Sequence, residues 1–254
     1  MDTENTSIFP SRSVPLEGAS NFRDLGGYTG AGGRTVRWRR LYRSDHLGSL
    51  TPQDVDALRA LRVARVCDLR GVSEREGAAC LIDGATVHSL PIEPTIVQRL
   101  GALLAAGESP GEAETVALMQ QTYRGFVQNN AARFAALFGH LLEPGEPLVF
   151  HCTAGKDRTG FAAALLLSSL GVAQDTILED YLLTNAHLKP GGGSRALPPE
   201  MAAVLFRVQE PFLAAAFDAV QQVHGSLENY MQQALGVGPA ERERLRELYL
   251  EPAA

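Results

Sequence analysis

The stretch "PLVFHCTAGKDRTGFAAALLLSSLG", residues 147–171, predicts the fold more directly than any other. Its first part, residues 147–152, is a short apolar run of strand length that follows Pro-Gly. Its last part, residues 159–171, is a longer apolar run that ends at a glycine, as a helix does. A strand, a tight loop and a helix in this order form the repeating unit of a parallel α/β sheet.

The segments before this stretch follow the same alternation. Residues 35–44, 63–69 and 85–92 read as strands, and a helix after the first of them begins at a capping pattern, Thr51-Pro52-x-Asp54. We therefore expect one α/β domain over residues 1–254, with a mostly parallel sheet of about four or five strands flanked by helices. Residues 1–15 are predicted to be a loose arm, and residues 189–200 a flexible connection.

Residues 95–130 are predicted to be a helical insertion that the sheet does not need. Two helical stripes are separated by "GESPGE", and the second contains Val116, Met119, Tyr123, Phe126 and Val127. We expect these helices to form a lid over the functional site.

Composition limits the classes of function. The chain has 254 residues, 45% of them hydrophobic, and a formal net charge of −6. Such a protein can build a core and is a poor general binder of nucleic acid or anionic membranes. No apolar run reaches about 18 residues, and no signal peptide is recognisable. We expect a cytoplasmic monomer with no membrane span, although export without an N-terminal signal stays open.

The three cysteines, Cys67, Cys80 and Cys152, fit neither a disulfide framework nor a zinc pattern. A reducing compartment is the simplest interpretation. The histidines show no ligand spacing either, and we expect no metal site and no cofactor.

The loop "HCTAGKDRTG", residues 151–160, has the composition of an anion site at the carboxyl edge of a strand. Five residues separate Cys152 from Arg158, enough for backbone N–H groups to surround one phosphate, and the following helix adds its positive end. The guanidinium fork can grip two phosphate oxygens. The predicted phosphate-binding residues are Thr153, Ala154, Gly155, Lys156, Asp157 and Arg158.

The same field acts on the thiol of Cys152. A cation and a helix N-terminus both stabilise a thiolate, so Cys152 is predicted to be the nucleophile. We expect Thr159 to donate a hydrogen bond to the sulfur when it departs. His151 is expected to orient the loop, and Gly160 to allow close approach of main chain.

The loop resembles the signature loop of cysteine-dependent protein tyrosine phosphatases. Together with "NFRDLGGY", residues 21–28, it is similar to the atypical bacterial and fungal tyrosine/serine phosphatase family. "DYLLTN", residues 180–185, and residues 226–248 also resemble that family, so the likeness covers nearly the whole chain. The resemblance implies a cysteine-phosphatase-like fold and hydrolysis of phosphate monoesters through a phosphocysteine, without a metal.

Cleavage also needs an acid to protonate the leaving oxygen. The resemblance suggests Asp157, and a carboxylate beside a phosphate dianion is repelled, so it holds its proton to higher pH, as an acid must. Asp68 is the alternative, because it ends a strand at the same edge; it could instead form a structural cluster with Arg70 and Glu74. Arg23 and Asp24 are expected to support the signature loop.

Lys156 bears on the substrate. "AGK" before the arginine resembles phosphoinositide phosphatases, and two cations favour more negative substrates. We expect a phosphorylated protein or a phosphoinositide as partner, with phosphotyrosine first and phosphoserine or phosphothreonine next. Two other classes remain open: a sulfurtransferase or arsenate reductase, and a phosphate- or phosphoinositide-binding module without turnover.

Overall fold

The computed structural model describes residues 11–80, 82, 84–188 and 197–252. The first ten residues of the predicted arm and residues 189–196 of the predicted connection lie outside the described residues. The rest of the arm is hydrogen-bonded to the chain that follows it. The Val14 N–H donates to the Phe22 carbonyl at 3.1 Å, and the Asp24 N–H donates to the Arg12 carbonyl at 2.9 Å.

Five strands form one sheet in the order β1-β2-β5-β3-β4. All neighbours are parallel except β1, which runs antiparallel to β2. The mostly parallel sheet that the sequence predicted is therefore confirmed, with the 148–151 strand at its centre. The strands are β1 (Arg23–Asp24), β2 (Leu41–Ser44), β3 (Arg65–Asp68), β4 (Thr86–Ser89) and β5 (Leu148–His151).

One predicted strand is shorter than expected. Of residues 35–44, only Leu41–Ser44 join the sheet, while Thr35 and Val36 form isolated bridges elsewhere. The chain turns between them at Arg39, whose φ is 60°. Alternation of apolar and polar residues does not reveal such a turn, so the prediction was wrong for residues 35–40.

Helices cover both faces of the sheet. They are α1 (Pro52–Ala60), α2 (Val72–Glu76), α3 (Thr95–Ala105), α4 (Glu112–Asn129), α5 (Ala131–Leu142), α6 (Asp157–Ser169), α7 (Gln174–His187), α8 (Pro199–Leu205), α9 (Glu210–His224), α10 (Leu227–Gln233) and α11 (Pro239–Tyr249).

Strand side chains alternate between two apolar cores. Tyr42, Val66 and Val149 face a smaller core with Leu58 of α1. Leu41, Cys67 and Phe150 face the larger one, which contains α6. Eleven of the 13 residues of α6 are buried, so this helix is central rather than amphipathic.

The parallel register brings four strand ends to one edge. Ser44 pairs with His151, His151 with Asp68, and Asp68 with Ser89. The loop that leaves β5 therefore emerges where the neighbouring strands also end, which is where ligands bind in open α/β sheets. In the part of the chain that the structure covers, no helix has both the length and the apolar character to span a membrane.

Candidate active site

The signature loop, residues 152–158, is held against the end of β2. Gly155 has a φ of 63°, in the left-handed region that favours glycine. A Cβ at this position would lie 2.4 Å from the Ser44 carbonyl oxygen. The His46 N–H also donates to the Thr153 carbonyl at 3.1 Å. Close contact between two backbone segments thus fixes the loop, and only glycine fits at position 155.

Cys152 lines a cavity of about 420 Å³, and the residue is only 2% exposed. The polar side of the cavity lining comes from the signature loop and Glu74. The apolar side comes mainly from helix α3 and the α8 region. The apolar lining consists of Pro94, Ile96, Val97, Leu100, Gly101, Leu104, Met119, Leu197, Leu205 and Phe206.

Arg158 is fixed in the cavity wall by Glu74 of α2. Its Nη1 and Nη2 atoms donate to the two Glu74 carboxylate oxygens at 2.6 and 2.9 Å, and Nη1 also donates to the Ile92 carbonyl at 2.8 Å. Burial alone would lower the pKa of Arg158, but the hydrogen bonds and charge of Glu74 outweigh it and raise the pKa. The guanidinium is therefore a permanent, oriented cation beside Cys152.

Asp157 is the first residue of α6, and its carboxylate lines the same cavity. Lys156 Nζ lies 2.8 Å from Oδ1 and 2.7 Å from Oδ2. The Tyr123 hydroxyl of α4 donates to Oδ1 at 2.9 Å. The Asp157 side chain is still 20% exposed.

Asp68 has a different environment, and it is not among the residues that line the cavity. Arg70 donates to both of its carboxylate oxygens, with Nε–Oδ1 at 3.0 Å and Nη2–Oδ2 at 2.7 Å, and both side chains are 2% exposed. Burial raises the pKa of Asp68, but the Arg70 hydrogen bonds and the charges nearby lower it below its usual value. The Asp68 carboxyl is thus ionised, and both of its oxygens are hydrogen-bonded to Arg70.

His151 lies beside Asp68, with Nε2 3.8 Å from Oδ2. Burial lowers the pKa of His151 to about 4, so the ring is neutral at pH 7 and the contact is not an ion pair. Its Nδ1 lies 3.2 Å from the Cys152 carbonyl oxygen. The imidazole therefore contacts the backbone of the signature loop.

The sequence matches the tyrosine phosphatase family over residues 14–251, which is nearly the whole chain. The chain belongs to this family.

Similar proteins that are named as phosphatases match this chain over most of their length. A Cupriavidus necator protein provisionally named a tyrosine-protein phosphatase is 38% identical, with 92% of this chain and 88% of the relative covered. The Mycobacterium tuberculosis triple specificity protein phosphatase PtpB is 32% identical, with 92% and 98% covered. Among solved structures, Pseudomonas aeruginosa TpbA aligns at 20% identity with a TM-score of 0.32, covering 70% of this chain and 86% of that one.

The chain is thus an enzyme of the protein-tyrosine phosphatase class. The sulfurtransferase and the binding module without turnover, which the sequence left open, do not agree with this family.

A buried polar network supports the signature loop of this phosphatase from below. Asn21 Nδ2 and Arg43 Nη2 each donate to the Gly155 carbonyl at 3.0 Å. Arg43 Nη1 in turn bonds Asp180 Oδ2 at 2.7 Å, and Arg23 donates to the Asp180 carbonyl at 2.8 Å. Burial, more than the nearby charge of Arg43, lowers the pKa of Arg23 to about 9. The Asp180 carboxylate faces both guanidinium groups, because Arg23 Nη2 lies 3.7 Å from Oδ1 and Arg43 Nη1 lies 2.7 Å from Oδ2.

The remaining predicted residues have local roles in the geometry. Asp24 accepts from the Gly26 and Arg39 N–H groups, each at 2.7 Å, and so closes the turn after β1. Gly160 lets α6 approach α7, because an added Cβ would lie 2.9 Å from the ring of Tyr181.

Thr159 was expected to bond the sulfur of Cys152. Its hydroxyl is buried and has no hydrogen-bond partner among the described residues. Helix α6 begins at Asp157, two residues earlier than predicted, so Thr159 already lies within the first helical turn.

Four of the residues that build the site were missed by sequence reasoning: Glu74, Tyr123, Arg43 and Asp180. The sequence offered Glu74 only as a member of an alternative structural cluster with Asp68 and Arg70, but it bonds Arg158 and accepts a hydrogen bond from Thr153. Glu74 lies in the first turn of α2, shortly after β3 ends at the edge that carries the signature loop. This position was the one sequence signal that could have placed it near Arg158. The described residues contain no group of three or more His, Cys, Asp or Glu side chains arranged to hold a metal ion.

Proposed function

We propose that this phosphatase hydrolyses phosphate monoesters through a cysteinyl-phosphate intermediate on Cys152, with phosphotyrosine as its first substrate. One observation carries the proposal: Cys152 and the fixed guanidinium of Arg158 line one cavity at the N-terminal end of α6. The helix end and the cation favour both the thiolate and a bound phosphate.

In the first step the thiolate attacks phosphorus. The S–P bond forms as the P–O bond breaks, and the leaving oxygen takes the proton of Asp157. In the second step a water oxygen attacks phosphorus, its proton returns to Asp157, and the P–S bond breaks to release phosphate and the thiolate. Arg158 binds the equatorial oxygens in both steps.

We assign the acid to Asp157 rather than to Asp68. Asp157 lines the cavity next to Cys152, whereas Asp68 is 2% exposed and both of its oxygens are bonded to Arg70. A proton donor must reach the leaving oxygen, which favours the carboxyl that faces the cavity.

The cavity favours a phosphate carried by an aromatic group. Its apolar side would contact the ring of a phosphotyrosine. The charged lining residues are Glu74, Lys156, Asp157 and Arg158, two anions and two cations that pair with one another. With no excess of cations, a multiply phosphorylated head group has no special advantage. Phosphoserine, phosphothreonine and phosphoinositides therefore rank below phosphotyrosine.

The test compares wild type with Cys152→Ser in the presence of EDTA, on a phosphotyrosine peptide, a phosphoserine peptide and phosphatidylinositol phosphate vesicles. We expect turnover of the phosphotyrosine peptide by wild type only. Acid quenching of wild type followed by mass spectrometry should detect phosphate on Cys152. Turnover by Cys152→Ser at the wild-type rate would refute the thiolate mechanism, and faster turnover of the vesicles would reverse the substrate order.

A further inference from the structure

Two buried tyrosines form a short hydrogen-bonded chain that ends at the cavity. Tyr123 of α4 and Tyr181 of α7 are 0% and 1% exposed, and their hydroxyl oxygens are 2.7 Å apart. Tyr123 also bonds Asp157 Oδ1 at 2.9 Å. These three side chains form one hydrogen-bonded chain.

The carboxylate sets the direction of this chain. An ionised carboxylate only accepts, so Tyr123 donates to Asp157 and the Tyr181 O–H donates to the Tyr123 oxygen. The reverse order would leave the Tyr181 proton without an acceptor among the described residues, where its hydroxyl bonds only Tyr123. Tyr123 then has one proton left, and it points to Asp157 Oδ1. Both phenols stay protonated, because burial above all, and the charge of Asp157 next, raise the pKa of Tyr123 and of Tyr181. Oδ1 of Asp157 is therefore held as an acceptor.

This leaves the two oxygens of Asp157 unequal. Oδ1 faces a phenol whose only proton already points at it, so a proton on Oδ1 would have no acceptor there. Among the described residues, Oδ2 is bonded only by Lys156 Nζ, at 2.7 Å. The same ammonium also lies 2.8 Å from Oδ1, and its three donors have no fixed direction, so it can bind Oδ1 alone, whereas the phenol has a single proton.

We propose that Tyr123 is a positioning residue for the acid, which fixes Oδ1 as an acceptor so that Oδ2 carries the proton given to the leaving group. The inference rests on the proposed role of Asp157 and adds the part played by α4. The phenol donates to the ionised carboxylate and orients it without touching substrate, and the hydrogen bond from Tyr181 keeps the Tyr123 hydroxyl in this orientation.

Other charges also face this carboxylate and its phenols. Lys156 pairs with Asp157, and Arg158 and Glu74 lie in the same cavity wall. Arg158 interacts with the charges of Asp157 and Cys152, and the charge of Arg43 of β2 acts on Tyr181. Removal of the Tyr123 hydroxyl leaves all of these charges in place. A change in Tyr123→Phe therefore reports the hydrogen bond to Oδ1 and not one of these charges.

The experiment is Tyr123→Phe, measured on aryl phosphates with good and with poor leaving groups across pH. For the poor leaving group we expect kcat to fall by about tenfold, because a hydrogen bond to a charged group is lost. KM and the rate for the good leaving group should hardly change. The alkaline limb of kcat should move to higher pH, because the ionised carboxylate has lost a donor.

Tyr230→Phe is the matched control, since this buried hydroxyl has no partner among the described residues; its kinetics should equal wild type. Tyr181→Phe should shift the same limb in the same direction, but by less. Thermal unfolding of each variant identifies any loss of folded protein.

Equal loss for both leaving groups in Tyr123→Phe, or no loss with an unmoved alkaline limb, would overturn the positioning role. If Asp157→Asn itself shows no dependence on the leaving group, the failure belongs to the assigned acid and not to Tyr123.

Discussion

Asp68 and Asp157 lie at the same edge of the sheet, but their partners differ. Asp68 is 2% exposed, and the Arg70 guanidinium donates to both of its oxygens. Asp157 is 20% exposed; the Tyr123 phenol donates to one of its oxygens, and the Lys156 ammonium contacts both. A rigid fork holds the Asp68 carboxylate ionised, whereas a neutral phenol and an ammonium without a fixed direction bind Asp157. In the mechanism that we propose, the partner, more than the position, decides which carboxylate stabilises the structure and which donates a proton.

The largest effect should come from Asp157→Asn, which keeps the shape of the side chain and removes the proton. We expect kcat for a poor leaving group to fall by about 10²–10⁴-fold, the range of general acid catalysis. A good leaving group needs no proton, so its rate should change little. Steady-state kinetics on a series of aryl phosphates measures this, and a uniform loss across the series would move the acid to another residue.

Asp68→Asn should instead act on stability. The variant leaves the buried guanidinium of Arg70 without its anion, so we expect the free energy of unfolding to fall by about 3–5 kcal/mol. The dependence of kcat on the leaving group should stay that of wild type. Asp56→Asn is the control, because its pair with Arg59 is 74% and 62% exposed and contributes little. Urea unfolding measures all three proteins, and equal stabilities for Asp68→Asn and Asp56→Asn would contradict the comparison.

The smallest effect should be a change in the free energy of unfolding at acidic pH. Burial raises the pKa of both Asp68 and Asp180, but Arg70 in the first case and Arg43 in the second outweigh it and lower each pKa. A carboxyl whose pKa is lower in the folded state adds stability above its unfolded pKa, near about 4, and that stability is lost as pH falls through the folded value.

The free energy of unfolding should therefore decline as pH drops below about 4. In Asp68→Asn the decline should be shallower, by at most about 1.4 kcal/mol per pH unit, the contribution of one proton. Urea titrations at successive pH values measure the two slopes. Parallel slopes would show that Asp68 does not contribute its charge to folding.

Sequence reasoning went furthest where the signals are local. The run of residues 147–171 predicted the central strand, the loop and the buried helix, because strand length, glycine and apolar periodicity are all written in neighbouring residues. The edge of the sheet that carries Asp68 followed from the parallel alternation. The helices of the predicted insertion also exist, as α3 and α4.

What the sequence did not predict depends on contacts between distant residues. Tyr123 belongs to an apolar stripe, and periodicity places such a residue in the core without saying where its hydroxyl points. Glu74 is separated from Arg158 by 84 residues, and Asp180 from Arg43 by 137. The choice of partner for each buried charge follows from tertiary packing, so a local cluster of Asp68, Arg70 and Glu74 looked equally reasonable in the sequence.

The network under Gly155 also bears on synthesis. Arg23 and Arg43 are made early, but their shared acceptor, Asp180, follows Arg23 by 157 residues. As the chain leaves the ribosome, Cys152 therefore emerges before the carboxylate that completes the support of its loop, and closing such long loops has an entropic cost. A stalled chain that ends between the two carries Cys152 without the carboxylate that supports its loop, so assembly of this loop must wait until translation is nearly complete.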